Sequence, residues 1–280
     1  DLQNNNGDTA FMNAADNQNV EIITFLYEKF KNKININLTN KHGDSAFMIA
    51  AYNHNVEVIN FLYDKFKDQI NTNSQNKNGD TSFMNAIQKS NIEVITYLYH
   101  KFKDQIDINL QNKNGDTAFM KAVDSPDVEI ITFLYDKFKD KINANLQNIE
   151  NYTIFMKAAN NPNGKIITFL YDKFKDQINI NLTNKSGHTA FMKAANNQNV
   201  EVITFLYEKF KDQININLTN KSGNTAFMLA ANNKNVETIT FLYEHFKGQI
   251  DINFTNKNGN TAFMSASFNE NIEIIKYLYD

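Results

Sequence analysis

The apolar positions between residues 184 and 219 change rhythm twice. Asn184-Lys185-Ser186-Gly187 is polar and ends on glycine, which predicts a tight turn, because glycine reaches positive φ at little steric cost. Phe191, Met192, Ala194 and Ala195 then form a short apolar block. It is read as a helix from Ala190 to about Asn196, with Thr189 as N-cap. A polar break, Asn196-Asn197-Gln198-Asn199, follows, and Asn199 stands where a second N-cap belongs. Val200, Ile203, Leu206, Phe210 and Ile214 recur at spacings of three and four, the stripe of a helix buried along one side. That helix is expected from about Val200 to Asp212. Ile214-Asn215-Ile216-Asn217-Leu218 alternates strictly, which predicts extended backbone.

This block is read eight times. Its opening Asn falls at 4, 40, 76, 112, 148, 184, 220 and 256, always 36 residues apart. A fixed period of this size marks a solenoid whose units pack on their neighbours. The expected fold is therefore all-α: one array over residues 1–280, eight helix-turn-helix units joined by short extended or β-turn connections. The eighth unit is truncated at Asp280, and Asp1-Leu2-Gln3 matches the last columns of a unit. Phe263, Ile275 and Leu278 keep the internal pattern, so the chain is expected to be a piece of a longer array. Unit five departs most. Asn151 stands for glycine, and Pro162 and Gly164-Lys165 replace the usual start of the second helix, with Pro126 in the same column one unit earlier. A local change of curvature is expected there.

The order turn, short helix, long helix, return resembles the ankyrin repeat. Gly187-His188-Thr189-Ala190-Phe191-Met192-Lys193-Ala194-Ala195 is similar to the family's G-x-T-P-L-H-x-A-A, Glu201-Val202-Ile203 with Phe205-Leu206 to its E-V-V-x-L-L, and Ile216-Asn217 to its closing V-N. The resemblance covers all eight units. Three departures stand out. Ala-Phe-Met replaces Pro-Leu-His. The Gly-His between the helices is absent, with Asn as cap. The unit is three residues longer than the family's usual length of about 33, the extra residues lengthening the second helix through Tyr207-Glu208-Lys209-Phe210-Lys211. The resemblance implies a non-catalytic scaffold that binds a protein partner in a groove lined by turn tips and first helices.

Composition narrows this further. Hydrophobic residues make up 42%, enough for a packed core despite the abundance of Asn. A net charge of −3 gives no whole-chain attraction to nucleic acid or an anionic membrane. No cysteine is present, which excludes disulfides and thiolate metal sites. No apolar run reaches the length of a membrane span. The expectation is a cytoplasmic monomer without membrane insertion. The five His occupy five different columns and share no metal-ligand spacing, and acids recur on outer faces, so neither an enzyme site, a metal site nor a cofactor site is expected. Lys pairs on the second helix, such as Lys173 and Lys175, are flanked by acids, Asp172 and Asp176, which argues against nucleic acid.

The informative columns are those that vary. After the turn glycine the residues run Asp8, Asp44, Asp80, Asp116, Tyr152, His188, Asn224, Asn260. After the Met of the first helix they run Asn13, Ile49, Asn85, Lys121, Lys157, Lys193, Leu229, Ser265. The candidate partner-binding residues are accordingly Asp44, Asp80, Asp116, Lys121, Tyr152, Lys157, His188 and Lys193, with the three Lys as a patch for an acidic segment. The alternatives are a structural spacer or elastic tether in a larger assembly, or a targeting module of a larger effector or enzyme.

Overall fold

The computed structural model describes residues 2–17, 19–197, 199–233, 235–268 and 272–279. Gln198 of the polar break, and the terminal Asp1 and Asp280, lie outside the described residues. The chain forms two compact units, residues 1–143 and 144–280.

In unit 1 four helix pairs follow one another: α1 (Ala10–Asp16) and α2 (Val20–Phe30), α3 (Ala46–Tyr52) and α4 (Val56–Phe66), α5 (Ser82–Gln88) and α6 (Ile92–Phe102), α7 (Ala118–Asp124) and α8 (Val128–Phe138). Unit 2 repeats the plan with α9 (Ile154–Asn160) and α10 (Gly164–Phe174), α11 (Ala190–Asn196) and α12 (Val200–Phe210), α13 (Ala226–Ala231) and α14 (Val236–Phe246), α15 (Ala262–Phe268) and α16 (Ile272–Tyr279). Within each unit the first helices pack side by side in one row and the second helices in another, and each first helix lies on its own second helix. This is the expected all-α repeat stacking.

Local chemistry sets the boundaries. Thr189 accepts from the Met192 N–H and Asn199 from the Val202 N–H, as N-caps do. The paired alanines, Ala50 and Ala51 or Ala194 and Ala195, are fully buried and let neighbouring helices approach closely. The residues that lengthen the second helix form an aromatic clamp between repeats. Phe102 is boxed by Tyr63 at 5.2 Å and Phe47 at 5.5 Å, both edge-on and both from the preceding repeat. Phe210 meets Tyr171 and Phe155 in the same way. Such pairs contribute about 0.5–1.5 kcal/mol each beyond area burial.

The alternating segment behaves differently from its pattern. Ile214 and Ile216 are buried and Asn215 and Asn217 exposed, yet the backbone turns: Leu218 N–H bonds to Asn215 O at 3.3 Å. Asn215 Oδ1 captures the Asn217 N–H at 3.1 Å, an Asx turn that substitutes for a strand partner. No strand occurs among the described residues. In the fifth repeat Asn151 takes φ 59°, supplying the left-handed residue that glycine supplies elsewhere. Ser125 and Asn161, the residues before Pro126 and Pro162, are extended at ψ 146° and 135°, whereas Asn53 at the matching C-cap has ψ 11°. Proline disfavours the helical region for the residue before it, so the local connection changes at both sites.

Candidate partner-binding face

Each turn tip is built around one asparagine. Asn40 Oδ1 accepts the N–H groups of His42 and Asp44, and Gly43 N–H returns to Asn40 O at 2.9 Å. Gly43 sits at φ 80°. A Cβ there would also lie 2.6 Å from the Lys77 N of the next turn. The tight approach exists because the turns are bonded to each other: Lys41 N–H reaches Asn6 O at 2.7 Å and Lys77 N–H reaches His42 O at 2.8 Å. Unit 2 continues this with Lys185 on Glu150, Lys221 on Ser186 and Lys257 on Ser222.

A second ladder runs through side chains. Asn40 Nδ2 donates to Asp8 Oδ1 at 3.0 Å, Asn76 Nδ2 to Asp44 Oδ1 at 2.8 Å, and Asn112 Nδ2 to Asp80 Oδ1 at 2.8 Å. In unit 2 Asn220 Nδ2 pairs with His188 Nε2 at 3.0 Å and Asn256 Nδ2 with Asn224 Oδ1 at 2.8 Å. A third ladder follows the returns: the Asn73 amide donates to Gln105 O and the Asn217 amide to Gln249 O. The asparagine columns are thus cross-repeat connectors, a role that the abundance of Asn in the composition does not reveal.

The candidate residues fall on this frame as follows. Asp44 and Asp116 are half-buried turn-tip residues, and Asp80 is 6% exposed. Lys121 reaches from α7 to the preceding repeat, where Nζ lies 3.0 Å from Asp80 Oδ1 and 3.1 Å from Gln88 Oε1. In unit 2 Lys157, His188 and Lys193 are half-buried, and Lys193 Nζ sits 5.6 Å from the centre of the Tyr152 ring. Burial, and then the Lys193 ammonium, hold the His188 imidazole below its ordinary pKa. The structure therefore brings Asp80 to Lys121, and Tyr152 and His188 to Lys193. It also shows a column that pattern reading passed over: Asp16, Tyr52 and Gln88 close the first helices beside the tips, and that column varies between repeats as visibly as the other two.

On the second helices the Lys column lies over tyrosines of the preceding repeat: Lys101 Nζ is 4.7 Å from the centre of Tyr63 and Lys209 Nζ 5.7 Å from Tyr171. Among the described residues no three His, Asp or Glu side chains converge as a metal-holding group, and no helix is long and apolar enough to cross a membrane.

Comparison with known families agrees with this geometry. The family model for ankyrin repeats (three copies) matches residues 1–74, 63–145, 140–220 and 212–280. No curated protein matches the chain. Ankyrin repeats generally mediate protein–protein interaction, typically as non-catalytic scaffolds. With turn, capped short helix, long helix and Asx return repeated through both units, and with the family model spanning it from end to end, the chain belongs to the ankyrin repeat family.

Proposed function

We propose that the protein is a non-catalytic interaction scaffold in which each unit binds a protein partner on the face made by its own turn tips and first helices. The candidate contacts are Asp44, Asp80, Asp116 and Lys121 in unit 1, and Tyr152, Lys157, His188 and Lys193 in unit 2. One observation carries this reading. Most side chains of the columns that differ between repeats reach this face, Asp44, Lys157 and Lys193 for example, while those that repeat, Thr189, Phe191, Met192 and Ala194 for example, are buried beneath it. A face whose buried frame is constant and whose accessible residues vary has the layout of a recognition surface.

The absence of native cysteine makes the test direct. A single Cys placed at Asn13 or Lys193, and in parallel at Lys67 or Lys211 on the second-helix side, carries a photo-crosslinker. The expected result is partner adducts from Asn13 and Lys193. Adducts confined to Lys67 and Lys211 would overturn the proposal, and adducts from neither set would favour a structural spacer.

A further inference from the structure

We propose that the groove of unit 1 binds a basic, extended segment of its protein partner, with Lys or Arg side chains entering beside Asp44 and between Asp8 and Asp16. The proposal rests on the protein-binding reading above and names the chemistry of the segment recognised.

The chain itself shows where an ammonium group sits in this groove. Lys121 places its Nζ between Asp80, a turn-tip acid, and Gln88, the last residue of α5. The matching positions one repeat earlier are Asp44 and Tyr52, and two repeats earlier Asp8 and Asp16. The residues in the Lys121 column that face them are Asn85 and Ile49, and neither carries a charge. Among the described residues no cation pairs with Asp8, Asp16 or Asp44. Lys89 lies 4.1 Å from the centre of the Tyr52 ring, which already shows an ammonium accepted at that ring, and it makes no ion pair with Asp44. Among the described residues the Asp8–Asp16 site thus carries no ion-paired cation, and in the neighbouring Asp44–Tyr52 site Lys89 covers the ring but leaves the Asp44 carboxylate without an ion pair.

Three further observations point to an occupant. The acids line an open groove of ≈ 400 Å³ together with Asn13, Ile49 and Asn85. Asn85 is 5% exposed, and its side-chain amide makes no hydrogen bond among the described residues. An amide that faces a groove can both donate to and accept from a peptide backbone. Finally, the ladder does not require charge at the tips, because His188 and Asn224 meet the neighbouring Asn equally well in unit 2. The negative charge of Asp8 and Asp44 is thus not needed to form the ladder, and it complements a basic ligand.

Spacing makes the proposal specific. Neighbouring helices pack about 8–10 Å apart, and an extended chain advances about 3.3 Å per residue. The partner segment is therefore expected to carry a basic residue at about every third position.

The test uses fluorescence anisotropy on the full chain with a labelled peptide of about twelve residues, Lys at every third position and Ser or Ala between. Its acetyl-lysine counterpart is the control. The Lys peptide is expected to bind, and to weaken as salt rises from about 0.05 to 0.5 M. The Asp8→Asn/Asp44→Asn variant keeps a side-chain acceptor in the ladder, so its circular dichroism should be retained and its melting only modestly lowered, while affinity falls about tenfold or more. Asn85→Ala should weaken binding several-fold. Equal binding by the double variant or by the acetyl-lysine peptide would overturn the proposal. Failure of the Lys peptide while the Asn13 adduct still forms would overturn the basic segment and leave the protein-binding reading standing; failure of both would overturn both.

Discussion

In unit 1 the asparagine amide of each following turn rests on a carboxylate, Asp8, Asp44 or Asp80; in unit 2 it meets the ring of His188 or the amide of Asn224. The geometry is shared, with contacts of 2.8–3.0 Å throughout. The chemistry is not. At these five tips the shared part is an atom that accepts a hydrogen bond from the next turn. The differing part is left over for recognition. A position can therefore be a connector and a selector at once, and its variation between repeats does not mean that it is structurally idle.

The largest expected effect sharpens the geometric half of the comparison. Gly43 and Gly259 have nearly the same φ, 80° and 78°. A Cβ at Gly43 would lie 2.6 Å from the next turn, whereas nothing lies within 4 Å at Gly259. Gly43→Ala should lose more than the roughly 1–3 kcal/mol of a strained left-handed residue, and Gly259→Ala no more than that. Equal losses in chemical denaturation would remove the argument that turn-on-turn packing demands glycine.

Next in size is the chemical half. Asn76→Ala deletes a hydrogen bond to the Asp44 carboxylate, and Asn256→Ala one to the neutral Asn224 amide. Bonds to charged groups contribute about 1.5–3 kcal/mol and neutral ones about 0.5–1.5 kcal/mol. The unit 1 variant should therefore be the less stable of the two. The reverse order would mean that charge at the tips weakens the ladder.

The smallest effect is one of pH. Burial and Lys193 lower the pKa of His188, so the fold favours the neutral ring. The unfolded chain then binds more protons around pH 6, and by linkage stability rises with pH there. This contribution is complete above the ordinary pKa of 6.5 and is lost as pH falls from 6.5 through the lowered value. His188→Asn, which copies Asn224, should flatten that slope in melts between about pH 5 and 7.5. An unchanged slope would place the proton elsewhere.

Much of this was legible in the chain. The 36-residue period, the caps at Thr189 and Asn199 and the apolar stripe from Val200 to Phe210 follow from spacing and residue chemistry; the first helix ends at Asn196 as expected, whereas the second stops at Phe210, two residues short of the expected Asp212. The Ile214–Leu218 alternation misled on backbone while reporting burial correctly, because a period of two describes which side chains are covered and an Asx turn can satisfy it without a strand. The ladders were not legible. Asn40 and Asp8 are 32 residues apart, and only the stacking of turns makes them neighbours. The same holds for Lys121, whose partners Asp80 and Gln88 belong to another repeat. Thr72 and Thr238, in columns otherwise held by Ile, Val or Ala, are buried with unpaired hydroxyls that nothing in the structure explains.

The central claim is that the turn-tip column joins one repeat to the next. A double-mutant cycle over Asp44→Ala and Asn76→Ala tests it most directly, read as unfolding free energy in urea. The account predicts a coupling of about 1–2 kcal/mol, the size expected for partners in one hydrogen-bonded pair. Simple additivity of the two losses would contradict it.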